Sequence, residues 1–256
     1  MTKHDACMWL KIPASRPGVA ARLICFPHAA AGASSFARWL TAAPPHMEIW
    51  RVQLPGREDV HQSPPLDDLR AVVVDLAEAT LAASDDHVPL VLYGHSMGAA
   101  VAHQVALALR SKDQGLLKAL VVSGRRGPRL PPARRLHHEL SDDELTAVMV
   151  EAEPASELWQ RPHWRRHYFE LIRRDSAAIE RIPLQQEAGL TIPIVAFHGT
   201  QDHWVSEAEL AAWRDATRGA FVLRRYDGGH FQHHTARDAI MREASRFCGC
   251  REGALT

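Results

Sequence analysis

The stretch Val88-Pro89-Leu90-Val91-Leu92-Tyr93-Gly94-His95-Ser96-Met97-Gly98-Ala99-Ala100-Val101 decides the fold. An apolar, strand-like run enters the pentapeptide Gly94 to Gly98, which has the form G-x-S-x-G, and an Ala/Val-rich helix former leaves it. That order is the sequence form of a nucleophile elbow, a strand-to-helix turn that strains the serine backbone and lifts its hydroxyl above a sheet. Glycines two positions either side leave room for strand and helix to approach. The plain alternative is a Gly-rich turn whose serine only caps the following helix. The partners available to Ser96 decide between them.

A serine hydroxyl is a weak nucleophile at neutral pH and needs an imidazole to take its proton and a carboxylate to orient that imidazole. Downstream, the strand-like run Ile192 to Phe197 leads into His198-Gly199-Thr200-Gln201-Asp202, which puts Asp202 just past a strand's carboxyl end. A second run, Phe221 to Tyr226, leads into the loop Asp227-Gly228-Gly229-His230. His230 is the candidate base and Asp202 the candidate acid, with Asp227 and Asp175 as rivals for the acid. The chain holds 16 histidines, so position alone is weak evidence. His203 is expected to point away from the site, and His233 and His234 to begin a solvated C-terminal helix. The spacing of His230, His233 and His234 suits a metal on a helix face, but nothing completes a ligand set, and no metal is expected. His28 and His95 are expected to line the entrance without reacting. Attack on a carbonyl also needs donors for the developing oxyanion. The residue after the nucleophile, Met97, offers one N–H, and the loop Pro27 to Gly32 after the strand Ala21 to Phe26 offers another at Ala29.

Strand-like runs near 21–26, 47–53, 88–93, 118–123, 192–198 and 220–226 alternate with helical ones, which predicts an α/β fold with a mostly parallel sheet covered on both faces. Helices are expected over 66–81, with Leu66, Leu69, Val73, Leu76 and Thr80 inward, over 97–110 and over 205–216. Between about 125 and 190 the alternation stops, and a helical insertion is expected. There Ser141-Asp142-Asp143-Glu144 forms a capping box and Trp164 to Ile179 a long helix. Arginines 125, 126, 129, 134 and 135, an acidic stretch from Glu139 to Glu157, and arginines 161, 165, 166, 173 and 174 alternate through it. Such runs are expected to be solvated faces.

With 256 residues and 46% hydrophobic content, one domain spanning 1–256 can bury a sizeable core. Thirty basic and thirty acidic residues balance, which excludes a basic nucleic-acid or membrane-surface protein. There is no apolar signal region or membrane-length apolar run, so a cytoplasmic location is expected. Four scattered cysteines are expected to be reduced, with Cys25 packed in a strand.

Several motifs, in order, resemble one family. They are Phe26-Pro27-His28-Ala29 with Ser34 to Trp39, Gln53-Leu54-Pro55-Gly56-Arg57-Glu58-Asp59, Gly94 to Gly98, Ser123-Gly124-Arg125-Arg126, Leu140 to Leu145 and Gly228-Gly229-His230-Phe231. Over nearly its whole length the chain resembles a stand-alone type II thioesterase of polyketide and nonribosomal peptide synthesis, an α/β-hydrolase. The resemblance implies a catalytic Ser96-Asp202-His230 triad, oxyanion amides at Ala29 and Met97, a helical lid, and no cofactor. It implies as partner an acyl or peptidyl carrier protein bearing acyl-phosphopantetheine, and as task the removal of aberrant acyl groups. A monomer acting in trans is expected. A releasing or cyclising thioesterase, a carboxylesterase and a noncatalytic synthase-binding module are the rivals. Two departures stand out: Ala30 and Ala31 replace glycines usual in the family loop, and Phe231-Gln232 replaces an aromatic pair.

Overall fold

The computed structural model describes residues 9–14, 16–63, 69–110, 112, 115–131, 137–153, 159, 161–182 and 189–250. Leu66, Arg134, Arg135, Glu157 and Cys7 lie outside them. Seven strands form one sheet: β1 (Leu10–Lys11), β2 (Ala21–Phe26), β3 (Met47–Val52), β4 (Leu90–His95), β5 (Leu117–Ser123), β6 (Ile194–Gly199) and β7 (Phe221–Tyr226). Their order is β1-β3-β2-β4-β5-β6-β7. Every pairing is parallel except β1 with β3. The six parallel strands are those expected from sequence. The two-residue edge strand β1 was not expected, since it is too short to carry a period.

Successive residues of the central strands face opposite sides, and both sides are covered. On one side Ile24, Phe26, Trp50, Leu92 and Val122 pack beneath α2 (Leu69–Ala83) and α3 (Met97–Leu109). On the other, Leu23, Cys25, Ile49, Val91 and Tyr93 meet Phe36, Trp39 and α7 (Arg237–Phe247). Full burial on both faces is why these strands are continuous apolar runs rather than alternating ones. In α2, Leu69, Val73, Leu76 and Thr80 are buried, as the helical period requires. A short helix not expected from sequence, α1 (Ala37–Ala42), brings Trp39 onto Tyr93, their rings stacked at 5.1 Å.

Between β5 and β6 stand α4 (Asp142–Ala152) and α5 (Pro162–Glu180). Ser141 and Glu144 form the expected capping box on α4. These helices gather their own cluster, in which Leu145, Met149, Phe169 and Ile172 are buried together with Ala30 of the loop after β2. The helix expected over 205–216 divides into α6 (Glu207–Ala211), capped by Ser206 with Glu209, and a 3₁₀ turn Ala212–Ala216. Among the described residues no helix is long and apolar enough to cross a membrane.

Candidate active site

Ser96 sits between β4 and α3 with φ 52° and ψ −118°, a left-handed conformation that a side chain strains. Its N–H donates to the Ser123 carbonyl at 2.9 Å, which fixes the turn against β5. The flanking glycines are required by contact as well as by turn shape. A Cβ on Gly94 would lie 2.3 Å from the Gly98 carbonyl oxygen, and one on Gly98 would lie 2.1 Å from that of Phe26. Strand, elbow and helix therefore touch backbone to backbone. The plain alternative, a serine acting only as a cap, lacks its hydrogen bond: the Ser96 side chain caps nothing in α3.

The loops after β6 and β7 bring Asp202 and His230 together, with Nδ1 of His230 2.9 Å from Oδ2 of Asp202 and both side chains buried. The second oxygen, Oδ1, accepts the backbone N–H groups of Trp204 at 2.9 Å and Val205 at 3.2 Å. Burial opposes the carboxylate's charge. The hydrogen bond and charge of His230, with those two N–H donors, outweigh it and hold Asp202 below the usual carboxylate range. An ionised Asp202 accepts from Nδ1–H, so the lone pair of the neutral ring lies on Nε2. That nitrogen is buried and has no hydrogen-bond partner among the described residues. The Trp204 ring lies over His230 at 4.5 Å and Phe231 meets it edge-on at 5.1 Å, so the imidazole is walled by aromatics. Phe231 thus keeps a wall role, while the Gln232 side chain accepts the Gly229 N–H at 3.2 Å and closes the loop.

Ser96 and His230 line one cavity of about 500 Å³ together with Ala29 and Met97. The loop that carries Ala29 keeps the left-handed turn of a glycine loop: Ala30 has φ 62°. Such a conformation costs an alanine about 1–2 kcal/mol, and the surroundings hold it there. The Ala30 N–H donates to Oδ2 of Asp175 at 2.8 Å, and Ala31 N–H to the His28 carbonyl at 3.1 Å. Asp175, one of the two rival acids, is therefore spoken for: the Arg57 guanidinium grips it with two bonds of 2.6 and 2.7 Å. The other rival, Asp227, is exposed and bonded by Gln201 at 2.8 Å. The Arg57-Asp175 link, which ties α5 to the loop of Ala29, was not foreseen. Its signal was present, since Asp175 interrupts the buried stripe of Phe169, Ile172 and Ile179 on α5, and a carboxylate there requires a cation.

Four expectations are corrected. His203 does not stand away from the site: it lines the same cavity as Ser96 and His230. His95 does not line an entrance. It is fully buried, its Nδ1 2.8 Å from the Ser123 hydroxyl, because it ends a central strand. His233 does not begin a solvated helix. It belongs to a 3₁₀ turn, His230–Ala236, that turns its ring inward onto His95, stacked at 3.9 Å. Burial, then the neighbouring imidazoles, push His95 and His233 well below the ordinary histidine value. Burial likewise takes His28, between Phe231 and His95, down to about 3. Finally, Arg125 and Arg126 are not a solvated face: both line the cavity, and Arg126 pairs with Glu209 at 3.0 Å.

A family model for the thioesterase domain matches residues 21–248. The thioesterase PikA5 of Streptomyces venezuelae is 36% identical over 231 residues, 89% of this chain and 80% of that protein. The gramicidin S biosynthesis protein GrsT of Aneurinibacillus migulanus is 32% identical over 221 residues, 82% of each. Among solved structures, the type II thioesterase BorB from the borrelidin biosynthetic cluster superposes with a TM-score of 0.82 at 32% identity, covering 94% of this chain and 97% of that one. The type II thioesterase YbtT of the yersiniabactin pathway superposes at 0.81 with 25% identity, covering 94% and 98%. The α/β-hydrolase architecture and these relatives agree, and the chain belongs to the thioesterase domain family as a type II thioester hydrolase of polyketide and nonribosomal peptide pathways.

Proposed function

We propose that this thioesterase cleaves acyl thioesters from phosphopantetheine-bearing carrier proteins, removing aberrant acyl groups through an acyl-serine intermediate. The observation that carries the reading is the hydrogen bond to Asp202 of His230, a residue that lines the same cavity as Ser96 and whose Nε2 has no hydrogen-bond partner among the described residues. In the mechanism, His230 takes the Ser96 proton as the serine oxygen attacks the thioester carbonyl. The N–H groups of Ala29 and Met97 hold the oxyanion, each worth about 3 kcal/mol in the transition state. The tetrahedral adduct expels the pantetheine thiol, which takes the proton from His230. Water, deprotonated by the same imidazole, then attacks the acyl-serine, and the imidazolium returns that proton to the Ser96 oxygen as the carboxylic acid leaves. Asp202 stays ionised throughout and steadies the imidazolium.

The helical segment near 125–190 serves as a lid over this chemistry within a single α/β-hydrolase domain. Its α5 is pinned to the oxyanion loop through Asp175, so any opening leaves that end of α5 in place. The decisive experiment compares thioesters and nitrophenyl esters of one acyl chain, free and carrier-bound, for wild type and Ser96→Ala. Faster turnover of carrier-bound thioesters, lost in Ser96→Ala, supports the proposal. A preference for the oxygen esters overturns it.

A further inference from the structure

We propose that the cavity beside Ser96 is built for acyl chains bearing an uncharged oxygen function, a hydroxyl, keto or amide group, about two helical turns from the thioester carbonyl. The inference deepens the thioester-hydrolase reading and rests on it. α3 begins directly after Ser96, and Met97, Ala100, His103 and Gln104 line the cavity as one face of that helix. A chain attached at Ser96 and lying along this face reaches His103 after roughly 10 Å. The near part of the path is apolar: Ala29, Met97, Ala100, Leu140 and Ile179 contribute to the same lining and suit methylenes.

The far part carries polar groups with nothing to bind. His103 is 1% exposed, and its Nε2 has no hydrogen-bond partner among the described residues. Trp213 meets it edge-on at 5.3 Å and holds the ring in place. Arg125 lines the same cavity. It follows Gly124, where a Cβ would lie 3.1 Å from Cε1 of His230, so it enters the cavity beside the candidate base. The Arg125 carbonyl accepts the Trp213 indole N–H at 2.7 Å, but its guanidinium makes no hydrogen bond or ion pair with a described residue. The neighbouring arginine behaves differently, since Arg126 is paired with Glu209. A guanidinium and a buried imidazole Nε2, neither hydrogen-bonded to a described residue, are donors awaiting acceptors on one cavity wall.

Charge selects among acceptors. Glu180 also lines the cavity and attracts Arg125 electrostatically, while its own carboxylate bonds His138. The wall therefore offers directional donors with the negative charge of Glu180 beside them. A carboxylate on the acyl chain would meet Glu180, whereas a ketone or hydroxyl would not.

The test uses N-acetylcysteamine thioesters of three acids of equal length: saturated, hydroxyl- or keto-substituted at mid-chain, and terminally carboxylated. Wild type is expected to favour the oxygenated chain over the saturated one by about ten-fold or more in kcat/KM, the scale of one hydrogen bond to a charged donor. Arg125→Met and His103→Phe are expected to bring that ratio towards one. Equal wild-type rates would overturn the proposal and mean that water alone occupies the polar wall. Preference for the carboxylated chain would overturn the choice of an uncharged group. If a variant fails to fold, calorimetric binding of the free saturated and hydroxy acids to Ser96→Ala makes the same comparison: tighter binding of the hydroxy acid supports the proposal and equal binding overturns it. Should no thioester be cleaved, the hydrolase reading fails, yet the same calorimetry still tests the cavity wall.

Discussion

Replacing Asp175 by alanine would remove the anion that Arg57 and the Ala30 N–H both hold. The two side chains of the pair are 3% and 1% exposed, so water cannot take the place of the lost carboxylate. Breaking a buried pair by deleting one member strands the other charge and costs about 3–5 kcal/mol. In a chain of this size each kcal/mol lowers Tm by about 2–4 °C, so Asp175→Ala is expected to melt about 6–20 °C below wild type. Scanning calorimetry at pH 7 measures this directly. The double variant Arg57→Met, Asp175→Leu leaves no stranded charge and is expected to recover much of the loss. The carboxylate also helps to hold Ala30 at φ 62°, so Asp175→Asn is expected to lower kcat more than it raises KM, by misaiming the Ala29 N–H. An Asp175→Ala protein that melts within about 2 °C of wild type would refute the argument that this buried pair anchors the loop.

Four histidines with depressed pKa values set a second expectation, for pH. His28 is pushed to about 3 and His103 to about 4 by burial, and His95 and His233 lie well below the ordinary value for the same first cause. In the unfolded chain these rings protonate near pH 6.5. Below that pH the unfolded state binds more protons, and stability must fall as pH drops from about 6.5 towards the folded values. The His103 shift alone corresponds to about 3 kcal/mol at the acid end, and a Tm that stays flat between pH 7 and 5 would contradict the neutral cluster. Asp202→Asn is expected to cut kcat by about 10⁴ by stabilising the wrong tautomer of His230, as steady-state kinetics on any accepted thioester would reveal. Gly98→Ala drives a Cβ to 2.1 Å from the Phe26 carbonyl, and a loss of about 3 kcal/mol or more in denaturant unfolding is expected; near-wild-type stability would mean that β2 and α3 do not touch at the elbow.

The parts of this fold that sequence revealed are those where one residue type has one physical use. A serine between glycines at a strand-helix junction, six apolar runs and the Ser141 capping box each became the expected element. Asp202 and His230 could be placed because each follows a recognisable strand. The Arg57-Asp175 link was harder, since the partners stand 118 residues apart and only their packing joins them. Asp175 was visible as an acid but not as an anchor. His95 and His233 were misplaced because a histidine's preference for surface or core is weak, and only the 3₁₀ turn after His230 rotates His233 inward. Ala30 likewise gave no local sign of a left-handed backbone, which its hydrogen bond to α5 helps to hold.

The central claim is that an acyl group rests on Ser96 between thiol release and hydrolysis. Mass analysis of acid-quenched protein, sampled within the first turnover of a thioester, tests it most directly. The account predicts a burst of thiol matched by one acyl group on the peptide that contains Ser96. Thiol release with no acylated peptide, at a rate that Ser96→Ala leaves unchanged, would contradict it.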